Sequence, residues 1–164
     1  MRAFFRDIIF ATLGLAILIA PVITFAKASG TIQSVATLTG VAKVQDGDGV
    51  LFGKVEIRLQ GIAAPEDSSK KRDPDGPASS ANLRAYVEGK TIACQLDGTV
   101  ASSNRPVGIC YLGDVDIGEY QVLTGHARDC PHFSGGRYAR AEAEARAAGR
   151  DLSKTYALPD YCTK

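Results

Sequence analysis

The chain has 164 residues, enough for one domain behind a targeting segment and too few for two ordinary domains. It carries 19 lysines and arginines against 18 aspartates and glutamates. Proteins that bind nucleic acid regardless of sequence usually have a surplus of basic residues, because phosphate contacts dominate their affinity. The near-neutral balance excludes binding through a global basic field and leaves only a local basic site.

The N-terminus has the pattern of a secretory signal peptide. Arg2 and Arg6 give a positively charged start, an apolar stretch follows over residues 8–22, and small residues at positions 26 and 28 offer a cleavage site. Cleavage after residue 28 is favoured because a proline ends the apolar stretch. The alternative is an uncleaved membrane anchor, since the stretch nearly reaches the length that spans a bilayer. Both interpretations predict a secreted or periplasmic protein, and removing residues 1–28 leaves 16 basic and 17 acidic residues.

The exported part is predicted to have a flexible lead-in over 29–38, one domain over 39–152 and a C-terminal tail over 153–164. Within the domain, apolar residues alternate with Glu56 and Arg58, so Arg58 projects from the face opposite the apolar side chains. The predicted strands are 40–45, 49–52, 55–62, 90–96 and 105–112, and the predicted helices are about 78–88, 115–125 and 136–152. This order predicts an α+β fold, a small OB-type β-barrel decorated by helices.

All four cysteines lie in the exported part, and an even count in a small exported domain indicates two disulfides. Cys94 and Cys110 lie in two apolar runs joined by a polar connection, so they can face each other across adjacent strands. Cys130 would then pair with Cys162 and tie down the tail. The alternative is a metal site at Cys130 and His132, but no second ligand pair at finger-like spacing accompanies it.

Five segments of the exported part form a joint pattern. They are VQDGDGV at 44–50, IRLQGIAAPE at 57–66, GPASSANLR at 76–84, SNRPVGICYLGDVDIGEYQVLTGHA at 103–127, and the helix from about residue 136. In this order and at this spacing they resemble the staphylococcal nuclease (thermonuclease) family over roughly residues 39–151. The resemblance implies an OB-fold barrel of about five strands with three helices. It also implies calcium-dependent cleavage of phosphodiester bonds in DNA or RNA by a monomer, with no stable protein partner.

The resemblance also implies a role for each site residue. Arg58 and Arg105 match the two arginines that clamp phosphate, a task that suits the planar, permanently charged guanidinium. Glu66 matches the glutamate that acts on the attacking water. Asp48 matches a calcium ligand, and Asp46 would lie nearby in support. Each residue alone has an ordinary structural explanation, but their joint presence at the family spacing favours a retained site.

The sequence departs from the family pattern at several site positions. Ala63 stands where the family has its second metal-binding aspartate, and Ala64 follows at the next ligand position. Gly49 replaces the usual threonine, and Ser103 replaces an aromatic residue that stacks on a base. Phe133 is the residue that could still stack. Calcium takes six to eight oxygen ligands, so the loss of a carboxylate at position 63 predicts weakened calcium binding.

These observations favour an exported nuclease with Arg58, Glu66 and Arg105 as catalytic residues. The alternative is a catalytically degenerate module that binds nucleic acid or another anionic ligand. Some exported relatives are associated with envelope or exopolysaccharide (succinoglycan) production, which leaves an accessory role of that kind open. No residue of this sequence indicates a sugar site directly.

Overall fold

The structure, a computed structural model, describes residues 35–164. The predicted signal peptide or anchor at 1–28 and the first part of the predicted lead-in lie outside the described residues. Across residues 35–164, none of the helices combines the length and the apolar character that crossing a bilayer requires.

Residues 35–164 contain nine β-strands and four α-helices. The strands are β1 (Thr37–Val41), β2 (Lys43–Asp46), β3 (Gly49–Phe52), β4 (Val55–Leu59), β5 (Ile62–Ala63), β6 (Thr91–Ala101), β7 (Arg105–Leu112), β8 (Val115–Asp116) and β9 (Arg128–Asp129). The helices are α1 (Gly76–Val87), α2 (Ile117–Leu123), α3 (Pro131–Ser134) and α4 (Ala139–Ala147).

Seven strands form one mixed sheet that is curled into a half-barrel. Its order is β1-β6-β7-β4-β3-β2, and β8 pairs with β7. The β4–β7 contact is parallel and the others are antiparallel. Ala42 alone separates β1 from β2, yet these strands lie at opposite ends of the order, so the sheet must curl to bring its edges together. The fold is therefore α+β, as predicted, and it is compatible with an OB-like barrel.

Several predicted boundaries need correction. The strand predicted at 40–45 is two strands, and the first of them begins at Thr37, inside the predicted flexible lead-in. The helix predicted at 115–125 begins only at Ile117, because the Asp116 side chain accepts hydrogen bonds from two backbone N–H groups of the first turn. The helix predicted at 136–152 is shorter, Ala139–Ala147, since it follows two glycines with positive φ.

The core lies between the concave face of the sheet and helices α1 and α2. A first cluster of buried apolar residues includes Val50, Ile57, Leu59, Leu83 and Ile117, each at most 2% exposed. A separate, smaller cluster lies under the C-terminal tail and contains Ala63, Cys130, Tyr156 and Cys162. The Ile57 and Leu59 side chains point into the core, so the alternation predicted for this strand is confirmed.

Both predicted disulfides are present. Cys94 and Cys110 are direct partners in the β6–β7 pairing, so this bond joins neighbouring strands of the sheet. Cys130 and Cys162 join the start of α3 to the end of the tail. The alternative metal site at Cys130 and His132 is therefore wrong, because the Cys130 sulfur is covalently bonded. The two disulfides are compatible with an extracellular or periplasmic location.

Replacing Cys94 and Cys110 together with alanine should lower the free energy of unfolding by about 3 kcal/mol. The cross-link joins residues 16 positions apart and restricts the unfolded chain. Urea unfolding of the oxidised protein, followed by circular dichroism, measures the loss. A loss below about 1 kcal/mol would mean that the β6–β7 pairing holds this part of the chain without the bond.

Candidate functional site

A cavity of about 780 Å³ opens between the end of β4, the β6–β7 connection, α3 and the C-terminal tail. Arg58, Glu66 and Arg105, the three predicted catalytic residues, all line it, and so does Phe133. Arg58 and Glu66 lie in one stretch of the chain, and Arg105 and Phe133 lie in two others, so the fold brings three separate segments together. The predicted calcium ligands Asp46 and Asp48 are not among the lining residues.

Arg58 forms a two-point ion pair with Asp48. Its Nη1 donates to Oδ1 at 3.1 Å and its Nη2 lies 2.7 Å from Oδ2. The two side chains are only 17% and 6% exposed. The pairing follows from the β3–β4 hairpin, in which Arg58 is the direct partner of Gly49, the residue after Asp48. Both carboxylate oxygens of the predicted calcium ligand therefore face a guanidinium group.

Burial raises the pKa of Asp48 above its ordinary value, and the carboxylates of Asp46 and Glu66 add to that rise. Arg58 and the Ala64 N–H work in the opposite direction. Burial alone would lower the pKa of Arg58. The negative charge of Asp48, with smaller contributions from other acidic groups, outweighs the effect of burial, so the pKa of Arg58 is raised. Asp48 thus depends on Arg58 for its charge, whereas a guanidinium stays protonated in proteins.

Arg105 begins β7 and is also held by a carboxylate. Its Nη1 lies 2.8 Å from Oε1 of Glu56, and its Nε donates to the Ser102 carbonyl at 3.1 Å. Ser103 and the next residue have positive φ, so the chain turns tightly just before the arginine. Glu56 was not predicted as a site residue from the sequence. The alternation in β4 was the available signal, because it places Glu56 on the same face as Arg58.

The backbone of Glu66 is held by hydrogen bonds, whereas its carboxylate is left available for a ligand. Its N–H donates to Asp73 Oδ2 at 3.0 Å, and its carbonyl accepts from the Asp73 N–H at 2.9 Å. The start of α1 packs on it so closely that a Cβ at Gly76 would lie 2.1 Å from the Glu66 carbonyl oxygen. Within residues 35–164, its carboxylate has neither a hydrogen-bond nor an ion-pair partner, and it lines the cavity. Such a group can accept a proton from a bound water.

Gly49 makes room for two carboxylates. A Cβ at this position would lie 2.6 Å from Asp46 Oδ1 and 3.3 Å from Glu56 Oε1. The same Asp46 oxygen accepts a hydrogen bond from the Asp48 N–H at 3.3 Å. A glycine at position 49 therefore lets the Asp46 and Glu56 carboxylates lie close to the strand beside Arg58.

Ala63 does not face an open metal site. It is fully buried in the second apolar cluster, together with Cys130, Tyr156 and Cys162. The tail thus lies where a longer acidic side chain at position 63 would have to project. With both oxygens of Asp48 already facing a guanidinium, the residues as placed do not fit a calcium ion, which needs six to eight oxygen ligands.

His132 and Tyr161 also line the cavity, although the sequence predicted no substrate-binding role for either residue. Tyr161 lies in the tail, outside the segments that carry the family resemblance. The disulfide was the available signal, because joining Cys130 to Cys162 also brings their sequence neighbours together.

A scan of the chain against models of protein families finds no match, and a search among curated proteins finds none either. The resemblance to the staphylococcal nuclease family therefore stays a prediction from the motifs.

Replacing Arg58 with methionine should destabilise the protein by about 3–5 kcal/mol at neutral pH, because it leaves the buried Asp48 carboxylate without a charge partner. The pKa of Asp48 then lies further above its unfolded value of about 4. For such a group, stability is present below the unfolded pKa and is lost as the pH rises through the folded pKa. The deficit should therefore be smaller at about pH 5 than at about pH 8 in urea unfolding.

The double variant Arg58→Met, Asp48→Asn is the matched control, because it has no buried carboxylate at this position. Its stability should lack the added pH dependence. Equal deficits for Arg58→Met at the two pH values would contradict the assigned dependence of Asp48 on Arg58.

Replacing Ala63 with aspartate should cost about 3–5 kcal/mol, because the new carboxylate enters an apolar cluster beneath the tail. Millimolar calcium should not restore the unfolding temperature. Ala63→Asn has the same shape without the charge, so it separates crowding from charge burial. A large calcium-dependent rise in the unfolding temperature of Ala63→Asp would show that a calcium site can form there after all.

Proposed function

We propose that this chain is an exported nuclease of the staphylococcal nuclease type, which hydrolyses phosphodiester bonds of nucleic acid on an OB-fold barrel. One observation carries the proposal, namely that Arg58, Glu66 and Arg105 line a single cavity. A phosphodiester-cleaving site needs an activated water and positive charge on the phosphoryl oxygens, and these three side chains supply both.

In the proposed reaction, Glu66 accepts a proton from the attacking water as the water oxygen bonds to phosphorus. The bond from phosphorus to one sugar oxygen breaks, and that leaving oxygen takes a proton from solvent. Arg58 and Arg105 donate hydrogen bonds to the phosphoryl oxygens, whose charge grows as the water attacks. Arg105 can exchange its contact with Glu56 for one with phosphate, since the two side chains are 19% and 25% exposed. No step uses calcium, because both Asp48 oxygens are engaged by Arg58.

The strand order supports an OB-type barrel. Strands β2, β3 and β4 form an antiparallel meander, and α1 then connects β4 to β6. Strand β7 pairs with both β4 and β6, and β1 extends the same sheet beyond β6. We take β2, β3, β4, β6 and β7 as the strands of a small barrel, with the cavity on its outer face.

Two features of the chain support the proposed export. The sequence begins with the pattern of a signal peptide, and both cysteine pairs are joined in disulfides. Disulfides persist in oxidising compartments, so the proposed nuclease would act outside the cell or in a periplasm. Its substrate there would be DNA or RNA from outside the cytoplasm.

A second candidate is a module that binds an anionic ligand without turnover. The observation that favours it is that both arginines already hold carboxylates, Arg58 through Asp48 and Arg105 through Glu56. A phosphate would have to compete with these carboxylates, which lowers the charge available to stabilise a transition state.

The oxidised chain from residue 29 onward should release soluble nucleotides from heat-denatured DNA. Arg105→Ala should slow this release by about a hundredfold or more, because one donor to the phosphoryl oxygens is lost. Glu66→Gln should slow it by a similar factor, since the amide cannot accept the proton. Arg140→Ala is the matched control, because Arg140 is exposed on α4 and does not line the cavity.

Each protein is assayed with calcium and with a chelator. A wild-type rate no higher than that of the Arg105→Ala, Glu66→Gln double variant in both conditions would rule out the nuclease. Tight binding of the same DNA without cleavage would then favour the binding module.

A further inference from the structure

The C-terminal tail contributes Tyr161 to the lining of the cavity. Leu152 and Leu158 pack against the small buried cluster of Ala63, Tyr156 and the Cys130–Cys162 disulfide. Two short 3₁₀ turns, Leu152–Lys154 and Asp160–Cys162, shape the segment. The second turn delivers Tyr161 to the cavity. Tyr161 and the rest of the tail lie outside the residues that carry the family resemblance, which end near position 151.

Two aromatic rings stand exposed where the tail meets α3. Phe133 is 52% exposed and Tyr161 is 48% exposed, and both line the cavity. Their ring centroids are 6.2 Å apart and their planes are inclined by 57°. They form an open corner in which a planar group can stack on one ring and place its edge against the other.

The corner shares its cavity with the two arginines. Arg58 and Arg105 line it together with Phe133 and Tyr161. A ligand that contacts both the two rings and the two arginines needs a planar ring and an anionic group in the same molecule. Nucleotides have this combination, and base stacking on aromatic side chains is the usual way in which proteins hold single strands.

We propose that Tyr161 and Phe133 form a binding subsite for one unpaired nucleobase of a single-stranded nucleic acid whose phosphate lies at Arg58 and Arg105. The inference rests on the proposed function for the class of ligand. A base inside a duplex does not fit, because its two faces are already stacked on its neighbours and are not available to the rings. The subsite therefore selects single strands or frayed ends.

The Cys130–Cys162 disulfide positions both rings. Cys130 directly precedes α3, the helix that carries Phe133, and Cys162 directly follows Tyr161. The Gln60 side-chain amide donates a hydrogen bond to the Phe133 carbonyl and so ties α3 to the end of β4. The arginines, in contrast, stand on strands of the sheet. Loss of the disulfide should release Tyr161 and leave the phosphate contacts in place.

The test compares two fluorescent probes by anisotropy, using the oxidised chain from residue 29 onward. One probe is an oligothymidylate of about eight nucleotides, and the other is an abasic strand with the same number of phosphates. Both carry phosphorothioate linkages to limit cleavage. The wild type should bind the base-bearing probe roughly tenfold more tightly than the abasic probe.

Tyr161→Ala should reduce this preference to about one without weakening the abasic probe, and Tyr161→Phe should retain it. Phe133→Ala should also reduce it, which gives a second variant on a separate element. The double variant Cys130→Ala, Cys162→Ala should lose the preference and keep abasic binding. Tyr86→Ala is the matched control, since Tyr86 belongs to another aromatic pair, with Tyr120, that does not line the cavity.

Thermal unfolding and a thiol assay verify that each variant is folded with its remaining disulfides intact. Equal binding of both probes by the wild type, or an unchanged preference in folded Tyr161→Ala and Phe133→Ala, would overturn the subsite alone. An equal loss for both probes in Tyr161→Ala would also overturn it, because the tail would then act on phosphate binding or on the fold. If the wild type binds neither probe, the proposed function fails and the subsite with it.

Discussion

The buried ion pair between Asp48 and Arg58 is the interaction on which the site depends. Besides its contacts with Arg58, Asp48 accepts a hydrogen bond from the Ala64 N–H at 3.4 Å through Oδ2, and from the Leu59 N–H at 2.8 Å through its carbonyl. One residue therefore joins the β2–β3 turn to β4 and β5. The adjoining Gly47 has no room for a side chain, since a Cβ there would lie 2.0 Å from the Ser79 hydroxyl. The β2–β3 turn packs tightly against α1, which keeps the Asp48 carboxylate buried. A buried carboxylate needs a charge partner, and Arg58 provides it.

The packing of the C-terminal tail depends on the small, uncharged side chain of Ala63. An aspartate at position 63 would place a second buried carboxylate near Asp48, and a cation would then be needed to offset both charges. An alanine removes that charge and leaves a small apolar surface on which Tyr156 and the Cys130–Cys162 disulfide pack. Arg58 neutralises the remaining carboxylate from inside the protein. A guanidinium and a covalently held tail can therefore stabilise this region without a metal ion.

Local patterns predicted the features that depend on neighbouring residues. The alternation of β4 places Arg58 on the face opposite Ile57 and Leu59. The two apolar runs place Cys94 opposite Cys110, and the order of strands and helices indicates an α+β fold. The partners of the two arginines could not be predicted in this way. The Asp48 contact depends on the exact β3–β4 pairing, and the Glu56–Arg105 contact depends on the parallel β4–β7 pairing between distant segments. Tyr161 was missed because an exposed aromatic residue in a tail has no periodicity to distinguish it.

The charges around the cavity limit what the arginines can do alone. Two arginines stand near four carboxylates, those of Asp46, Asp48, Glu56 and Glu66, and the carboxylate of Asp97 also lines the cavity. Their Coulomb attraction for a phosphate is therefore much smaller than that of two unpaired guanidinium groups. The ion pairs nevertheless hold the arginine side chains in fixed directions, which reduces the entropy lost when they bind a ligand. Under these conditions the phosphate contacts set the position of a ligand, and a substantial part of its binding free energy must come from uncharged contacts. Aromatic stacking is such a contact, so a near-neutral protein with a compensated site has a physical reason to present two exposed rings beside it.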